Sequence, residues 1–265
     1  MKFSRKNRGE INMEGHVLTK EDIIETTGVE NIEDLEDLEI LFLGISEIGG
    51  LHECSSLRRV AMIDNGLLRI SGLRPLGYTL LSLTLCDQRI SKMENLELPN
   101  LRELFLHRNQ ITSINGLHGC QRLKKLWLMQ NKITHISGLH FVPELEECWL
   151  QSNQITSLKG IEHCNSLTNL SVAGNPISDF SELTILKRLP KLIELCLTDV
   201  HFGRTPITDH EGYKEYVICH LQSVQILDGV LITPNGRLQA TNKLEDANRE
   251  YQLALERIEE DFRSE

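Results

Sequence analysis

Long apolar runs are missing from these 265 residues. None approaches the roughly 18 to 20 consecutive apolar positions of a membrane-spanning helix, and the opening MKFSRKNRGEINMEGH holds no apolar stretch of signal-peptide type. Membrane insertion and secretion are therefore not expected. Proline is scarce at 7, yet 40% of residues are hydrophobic and 25% charged, which excludes a disordered or collagen-like chain. Net positive charge is also lacking: 28 basic against 38 acidic residues leave -10, the wrong sign for coating phosphate backbones. The deficit is uneven. Residues 1–8 carry four basic groups, whereas residues 9–55 carry thirteen acidic side chains against Lys20 alone.

Catalytic signatures are absent too. The sequence has no G-x-S-x-G, no phosphate-cradling glycine loop and no dinucleotide fingerprint, and its ten histidines do not cluster at metal spacing. No enzyme activity, cofactor or metal is expected. Seven cysteines without a Cys-x-x-Cys pair argue against zinc or dithiol chemistry. Cys54, Cys120 and Cys164 each precede a repeat's first leucine by three residues, a slot that Val142 also fills, and Cys148 stands where other repeats have leucine. These four read as small apolar packing groups and free thiols.

What is present is a repeat. The pattern L-x-x-L-x-L-x-x-N-x-I gives LRELFLHRNQI, LKKLWLMQNKI, LEECWLQSNQI and LTNLSVAGNPI, starting at Leu101, Leu123, Leu145 and Leu167, with 22 residues between starts. Weaker copies start at Leu38, Leu57 and Leu80, and LIELCLTDV follows from Leu192, for about eight in all. Leucines at positions 1, 4 and 6 and apolar residues at 11, 14 and 17 enclose a thin coil whose missing walls are supplied by its neighbours. Asn65, Asn109, Asn131, Asn153 and Asn175 hold position 9, where an amide can serve backbone groups leaving the strand. Ser46 and Gln88 replace it in two early copies, predicting looser turns there. His118 and His140 share a position on the outer curve.

The chain resembles the leucine-rich repeat family, in its intracellular 22-residue, phosphatase-regulator-like class, over residues 38 to about 200. The resemblance implies an α/β solenoid: a curved parallel sheet on the concave face and short helical, 3-10 or extended segments on the convex one. More narrowly, LHECSSLRRV (51–60), FSELTILKRLPKLIELCLTD (180–199) and ILDGVLI (226–232) resemble a vertebrate group, the leucine-rich repeat-containing proteins 9 and 61. That group implies an intracellular scaffold, with ciliary members in the wider family.

Around the solenoid the expected organisation is a basic N-terminus at 1–14, a helical cap at 15–34, repeats over 35–205, a C-terminal cap at 206–232 and an amphipathic helix at 233–265. Thr19 as N-cap, Asp22 three residues on and Gly28 as stop mark the first helix. YKEYVICHLQSVQILDG (213–229) resembles the cap after such repeats in splicing and phosphatase-regulator relatives. Its buried side should be Tyr216, Val217, Leu221, Val224 and Leu227, closed by a turn at Asp228-Gly229. In the last segment Leu244, Ala247, Tyr251, Leu255, Ile258 and Phe262 recur at three and four, a narrow seam that either docks back or pairs with another chain through residues 238–263.

Function should sit on the concave face. With positions 4 and 6 inward, 3, 5 and 7 face the hollow. Position 5 reads Phe42, Ala61, Thr84, Phe105, Trp127, Trp149, Ser171 and Cys196, placing three aromatics on adjacent strands. His107, Met129 and Gln151 flank them at position 7 and Glu103, Lys125 and Glu147 at position 3, with Arg102, Arg108, Lys124 and Glu146 nearby. Such a stripe predicts a protein partner, since aromatic residues dominate interface energetics. The expected protein is a non-catalytic adaptor, monomeric or within a larger complex, of phosphatase-regulator or ciliary type and cytoplasmic, with cilium and nucleus left open. The alternative is a ribonucleoprotein subunit that holds an RNA-binding protein or stacks single-stranded RNA on the aromatics and basic groups; direct nucleic-acid binding is disfavoured by charge.

Overall fold

A computed structural model describes residues 15–264, without the side chains of residue 255 and residues 258–264. The basic N-terminus expected at 1–14 and the side chains of Leu255, Ile258 and Phe262 lie outside the described residues.

The chain begins with β1 (His16–Val17) and α1 (Lys20–Thr27). Thr19 and Asp22 form a reciprocal capping box, and Gly28 closes α1 in the left-handed conformation at φ 68°. Next come β2 (Asp37–Leu41), β3 (Ile45–Glu47), which pairs with β1, β4 (Arg59–Ile63), β5 (Ser82–Cys86) and β6 (Glu103–Phe105). They are followed by β7 (Lys125–Trp127), β8 (Glu147–Trp149), β9 (Asn169–Ser171) and β10 (Glu194–Cys196). A small antiparallel ribbon of β11 (Thr198–Asp199) and β12 (Gly203–Arg204) leads to α2 (Tyr213–His220). Then β13 (Ile226–Leu227), β14 (Val230–Leu231) and α3 (Pro234–Ser264) complete the described chain.

One ten-stranded sheet runs β14-β13-β10-β9-β8-β7-β6-β5-β4-β2, parallel throughout except for the β13–β14 pair. Eight of its strands are repeat strands, and short 3-10 turns such as Leu117–Gly119, Leu139–Phe141 and Ile161–His163 carry each coil back along the opposite side. Glycines start these turns for a steric reason. Gly116, Gly138 and Gly160 have positive φ, and a Cβ on any of them would sit 2.1–2.3 Å from a carbonyl of the preceding coil.

The core is one continuous column of repeat positions, including Leu104, Leu126, Cys148, Leu170 and Leu195 at position 4, all at 0–1% exposure. Cys54, Cys120, Val142 and Cys164 fill the shared wall slot and are equally buried. The asparagines form a ladder beside it. Asn131 Nδ2 donates to the carbonyls of Leu106 (3.0 Å) and Leu128 (3.1 Å), while its Oδ1 accepts from Ile111 N–H (2.9 Å). Asn109, Asn153 and Asn175 repeat this arrangement. Gln88 does not loosen its turn: Oε1 accepts from the N–H groups of Asn65, Gly66 and Leu67, and Nε2 donates to the carbonyls of Met62 and Cys86.

The first coil corrects the register read from the sequence. LEDLEILFLGI satisfies L-x-x-L-x-L from Leu38 and, with Ile40 at the sixth position, the same apolar spacing from Leu35, and the structure uses Leu35, which lies 22 residues before Leu57. Leu38 and Ile40 pair with Val60 and Met62 and are buried. Phe42 consequently leaves the concave row, where Glu39 takes its place beside Ala61. It is exposed at φ 58°, in the turn position that Asp64, Asp87, Arg108 and Gln130 hold in later coils. Leu43, not Ser46, occupies the asparagine slot.

The C-terminal cap buries Val217, Leu221, Val224 and Leu227 as expected, but Tyr213 rather than Tyr216 is the buried tyrosine. Tyr216 is half-buried, stacked on the His220 ring (4.1 Å between centroids) and edge-on to Phe180 (5.2 Å). Asp228 and Gly229, at φ 51° and 75°, make the tight turn between β13 and β14. Asp228 also closes the last coil: its Oδ1 accepts from Leu197 and Thr198 N–H, and its Oδ2 accepts from the Tyr213 hydroxyl (2.6 Å).

The last helix docks back over part of its length. Its first turns dock on α2 and the end of the cap: Arg237 donates to the carbonyls of Ile218 (2.6 Å) and Val224 (2.7 Å), Ala240 is buried, and Leu244 is half-buried. From Glu245 to Ala254 every residue is exposed, Tyr251 and Leu253 included.

Candidate functional site

Side chains alternate across a strand, so burying Leu104, Leu126 and Cys148 turns Phe105, Trp127 and Trp149 to the concave side. Parallel pairing then brings the rings into register, Phe105 opposite Trp127 and Trp127 opposite Trp149. Their centroids are 4.7 and 5.4 Å apart, with planes tilted by 60° and 35°. The rings cover one another partly, and each remains half-buried. The Trp127 indole N–H is buried without an acceptor, a cost that stacking does not offset.

The flanking groups differ more than the repeat suggests. Lys125 stands between Glu103 (3.7 Å) and Glu147 (3.5 Å), and Lys124 meets Glu146 at 2.7 Å. Arg108 reaches Asp87 (3.3 Å) and Gln130 (2.9 Å). The charges flanking the aromatics thus pair laterally, strand to strand, and only Arg102 among them keeps an exposed side chain with no ion-pair partner among the described residues. At position 7, His107 and Met129 are half-buried. His107 Nδ1 lies 3.1 Å from Cys86 Sγ, and burial lowers its pKa despite the neighbouring Asp87.

Gln151 is the exception to the position-7 expectation. It is 1% exposed, and its Oε1 has no hydrogen-bond partner. The reason lies beyond the regular repeats. After β10 the chain turns back as the β11–β12 ribbon, where the Phe202 carbonyl accepts from Ser152 Oγ (3.2 Å) over the end of β8. A Cβ on Gly174 would lie 2.1 Å from that carbonyl, so glycine permits the approach. Between Trp149, the ribbon and the cap turn lies a cavity of about 290 Å³, lined in part by Gln151, Ser171, Glu194, Cys196 and Asp199. Ser171 is 4% exposed, and its Oγ also lacks a partner.

Sequence reasoning placed Ser171 and Cys196 on the concave row but gave them no role, it missed Glu194 and Asp199, and it read Asp228 only as a turn residue. The available signal was the break in period: LIELCLTDV has Val200 where the asparagine belongs, and no repeat begins 22 residues after Leu192.

Chemistry at the thiols is suppressed. Burial raises Cys86, Cys120 and Cys164 to about 12, so a nucleophilic thiolate is not available near neutral pH. Among the described residues, no group of three or more His, Cys, Asp or Glu side chains could hold a metal ion, and no helix is long and apolar enough to cross a membrane. The arrangement can bind; nothing in it points to bond-making.

Two family models match the chain: "Leucine Rich repeats (2 copies)" over residues 99–140 and "Leucine-rich repeat" over residues 128–256. U2 small nuclear ribonucleoprotein A′ of Neurospora crassa is 33% identical over 89 residues, which are 34% of this chain and 33% of that protein. The match therefore spans about a third of that relative's length. An internalin of Listeria monocytogenes has a similar fold, with TM-score 0.51 and 20% identity, covering 78% of this chain and 67% of that one. The SNF/U2A′ complex of Drosophila melanogaster gives TM-score 0.42 and 21% identity, covering 61% and 83%. Leucine-rich repeats typically serve as interaction modules without catalysis. With its repeat strands, its asparagine ladder and both family models in agreement, the chain is a leucine-rich-repeat protein.

Proposed function

We propose that this protein is a non-catalytic adaptor that grips a protein partner on its concave face through Phe105, Trp127 and Trp149. The supporting observation is the stacked, half-buried ring row. Rings of this kind at the centre of an interface cost about 2 kcal/mol or more each when truncated. The exposed length of α3 beyond Leu244, with Tyr251 on its seam, offers a second contact for a partner helix. Likeness of the repeats to the 22-residue intracellular class supports a cytoplasmic scaffold of phosphatase-regulator or ciliary type.

A second reading, a ribonucleoprotein subunit that holds an RNA-binding protein, draws support from the relative named as a small nuclear ribonucleoprotein component. Both readings make the same face the contact. Cytoplasmic and nuclear extracts captured separately on the wild-type chain and on a Trp127→Ala, Trp149→Ala double variant test them. The expected result is a partner set lost by at least about tenfold in the variant, with the fraction supplying it choosing between the readings. Undiminished recovery of every partner removes the concave site. For direct RNA contact, titration with single-stranded RNA at low salt is decisive, because binding carried by phosphates must appear there and weaken as salt rises.

A further inference from the structure

The cavity beside Trp149 holds several unmet demands. Gln151 Oε1 is a buried acceptor without a donor, and Ser171 Oγ is a buried hydroxyl without a partner. Both belong to residues that line the cavity. Buried polar atoms are costly when unpaired, so an occupant that donates hydrogen bonds fits them. The charge around them has one sign. Glu194, Asp199 and Asp228 all line the cavity, and among the described residues none of them is in an ion pair. Arg204, on the adjoining ribbon, is engaged with Asp209 at 2.9 Å. Cys196, at the centre of this group, has its thiol pushed up by burial first and then by the negative charge of Asp228, Asp199 and Glu194.

The carboxylates keep spare capacity. Glu194 Oε2 accepts from Asn169 Nδ2 (2.6 Å), and Asp199 Oδ1 accepts from the N–H groups of His201 and Phe202. A carboxylate has room for further donors on each oxygen. Asp228 is more fully used, by two backbone N–H groups and the Tyr213 hydroxyl. Trp149 supplies an aromatic wall, and Leu170 and Val200 supply apolar surface for an alkyl stem.

An aromatic wall, buried acceptors and unpaired carboxylates together suit a guanidinium, which is planar, donates at every nitrogen, pairs with carboxylates in a forked geometry and stacks on indole. We infer that this cavity receives an arginine side chain of the partner protein, next to the aromatic row. The inference rests on the adaptor reading and names its specificity element.

The test uses the full chain with its tryptophan indoles labelled with nitrogen-15. Both tryptophans stand in the concave row, so two indole resonances report on it directly. The probes are N-acetyl-arginine amide, its lysine counterpart and its citrulline counterpart, which keeps the shape and loses the charge. The arginine probe should shift the Trp149 resonance saturably with a Kd on the order of 1 mM, a reasonable value for so small a ligand. Glu194→Gln with Asp199→Asn should weaken it about tenfold, while retained indole chemical shifts in the free variant report an intact face. No saturable shift up to about 20 mM, or an equal response to citrulline, overturns the proposal. An equal response to the lysine probe overturns the guanidinium assignment. Failure here combined with partner loss in the tryptophan variants removes the arginine pocket and leaves the adaptor. An arginine response with undiminished partner capture supports the pocket while removing the proposed stripe.

Discussion

Gln151 and Gln88 are both buried glutamines two residues beyond a strand of the same sheet, and the same substitution should move stability in opposite directions. Gln151 Oε1 is unpartnered at 1% exposure. Methionine has nearly the same shape and no acceptor to desolvate. Relieving an unsatisfied buried polar atom is worth about 1–2 kcal/mol, so Gln151→Met should raise the thermal midpoint by about 2–6 °C. Gln88→Met would instead strand three N–H donors and two carbonyls now held by one side chain, a loss of roughly 3 kcal/mol or more. Urea unfolding followed by tryptophan fluorescence reads both variants, since both tryptophans sit in the sheet that unfolding disperses. An unchanged or lower stability for Gln151→Met would refute the reasoning, because it would mean that water or a rotamer change already satisfies the amide. The stabilised variant should also lose response to the arginine probe, the pattern expected of a group retained for binding at a cost in stability.

Asn131→Ala removes a buried amide that holds Leu106 and Leu128 carbonyls and the Ile111 N–H, and should cost about 2–4 kcal/mol in chemical denaturation. Phe42→Asn should leave partner capture unchanged and stability within about 1 kcal/mol of wild type, because the exposed ring occupies a left-handed turn that asparagine tolerates. Loss of capture would place Phe42 back in the binding row. Alkaline stability should fall above about pH 9. Burial raises the folded-state thiols of Cys86, Cys120 and Cys164 from 9.0 to about 12, so the unfolded chain loses protons first and each thiol withdraws roughly 1 kcal/mol per pH unit across that window. Unfolding midpoints measured from pH 8 to 10.5 check this, and a flat profile would contradict the burial.

Most of the solenoid is legible because each coil repeats one packing problem. Leu101, Leu123, Leu145 and Leu167 fix the register, and register fixes which side chains face the hollow, so Phe105, Trp127 and Trp149 fall where spacing puts them. Thr19, Asp22 and Gly28 are equally legible, since a capping box and a left-handed stop are local chemistry. The misreadings occur where two solutions satisfy the same short pattern or where neighbours are distant in sequence. At Leu35 and Leu38 overlapping matches compete, and the interval to Leu57 decides between them. Tyr213 and Tyr216 lie on one short helix, and which is buried depends on Asp228, whose carboxylate claims the Tyr213 hydroxyl across 15 residues. Gln151 reads as solvent-facing because a return of the chain fifty residues later, at Phe202, is invisible to the repeat.

The same reasoning explains why the cavity sits where it does. Along the earlier strands, position 3 alternates in sign and neutralises itself, as in Glu103, Lys125 and Glu147. At β9 the next cation is replaced by Asn169, so Glu194 on β10 gains an amide and no opposite charge. On the other side of the row the regular asparagine is replaced by Val200, and the N–H of Leu197, whose counterparts in earlier coils donate to a carbonyl of the next strand, is taken with that of Thr198 by Asp228 from the cap. Each replacement solves a structural problem at the end of a solenoid, where the next coil no longer exists to supply partners. Together they concentrate unpaired carboxylates around Ser171 and Cys196, where small side chains leave room next to the last tryptophan. A coil inserted between β9 and β10 that restored lysine at position 3 and asparagine at position 9 would therefore neutralise this end of the face while leaving the ring row in place, and would separate arginine recognition from aromatic gripping.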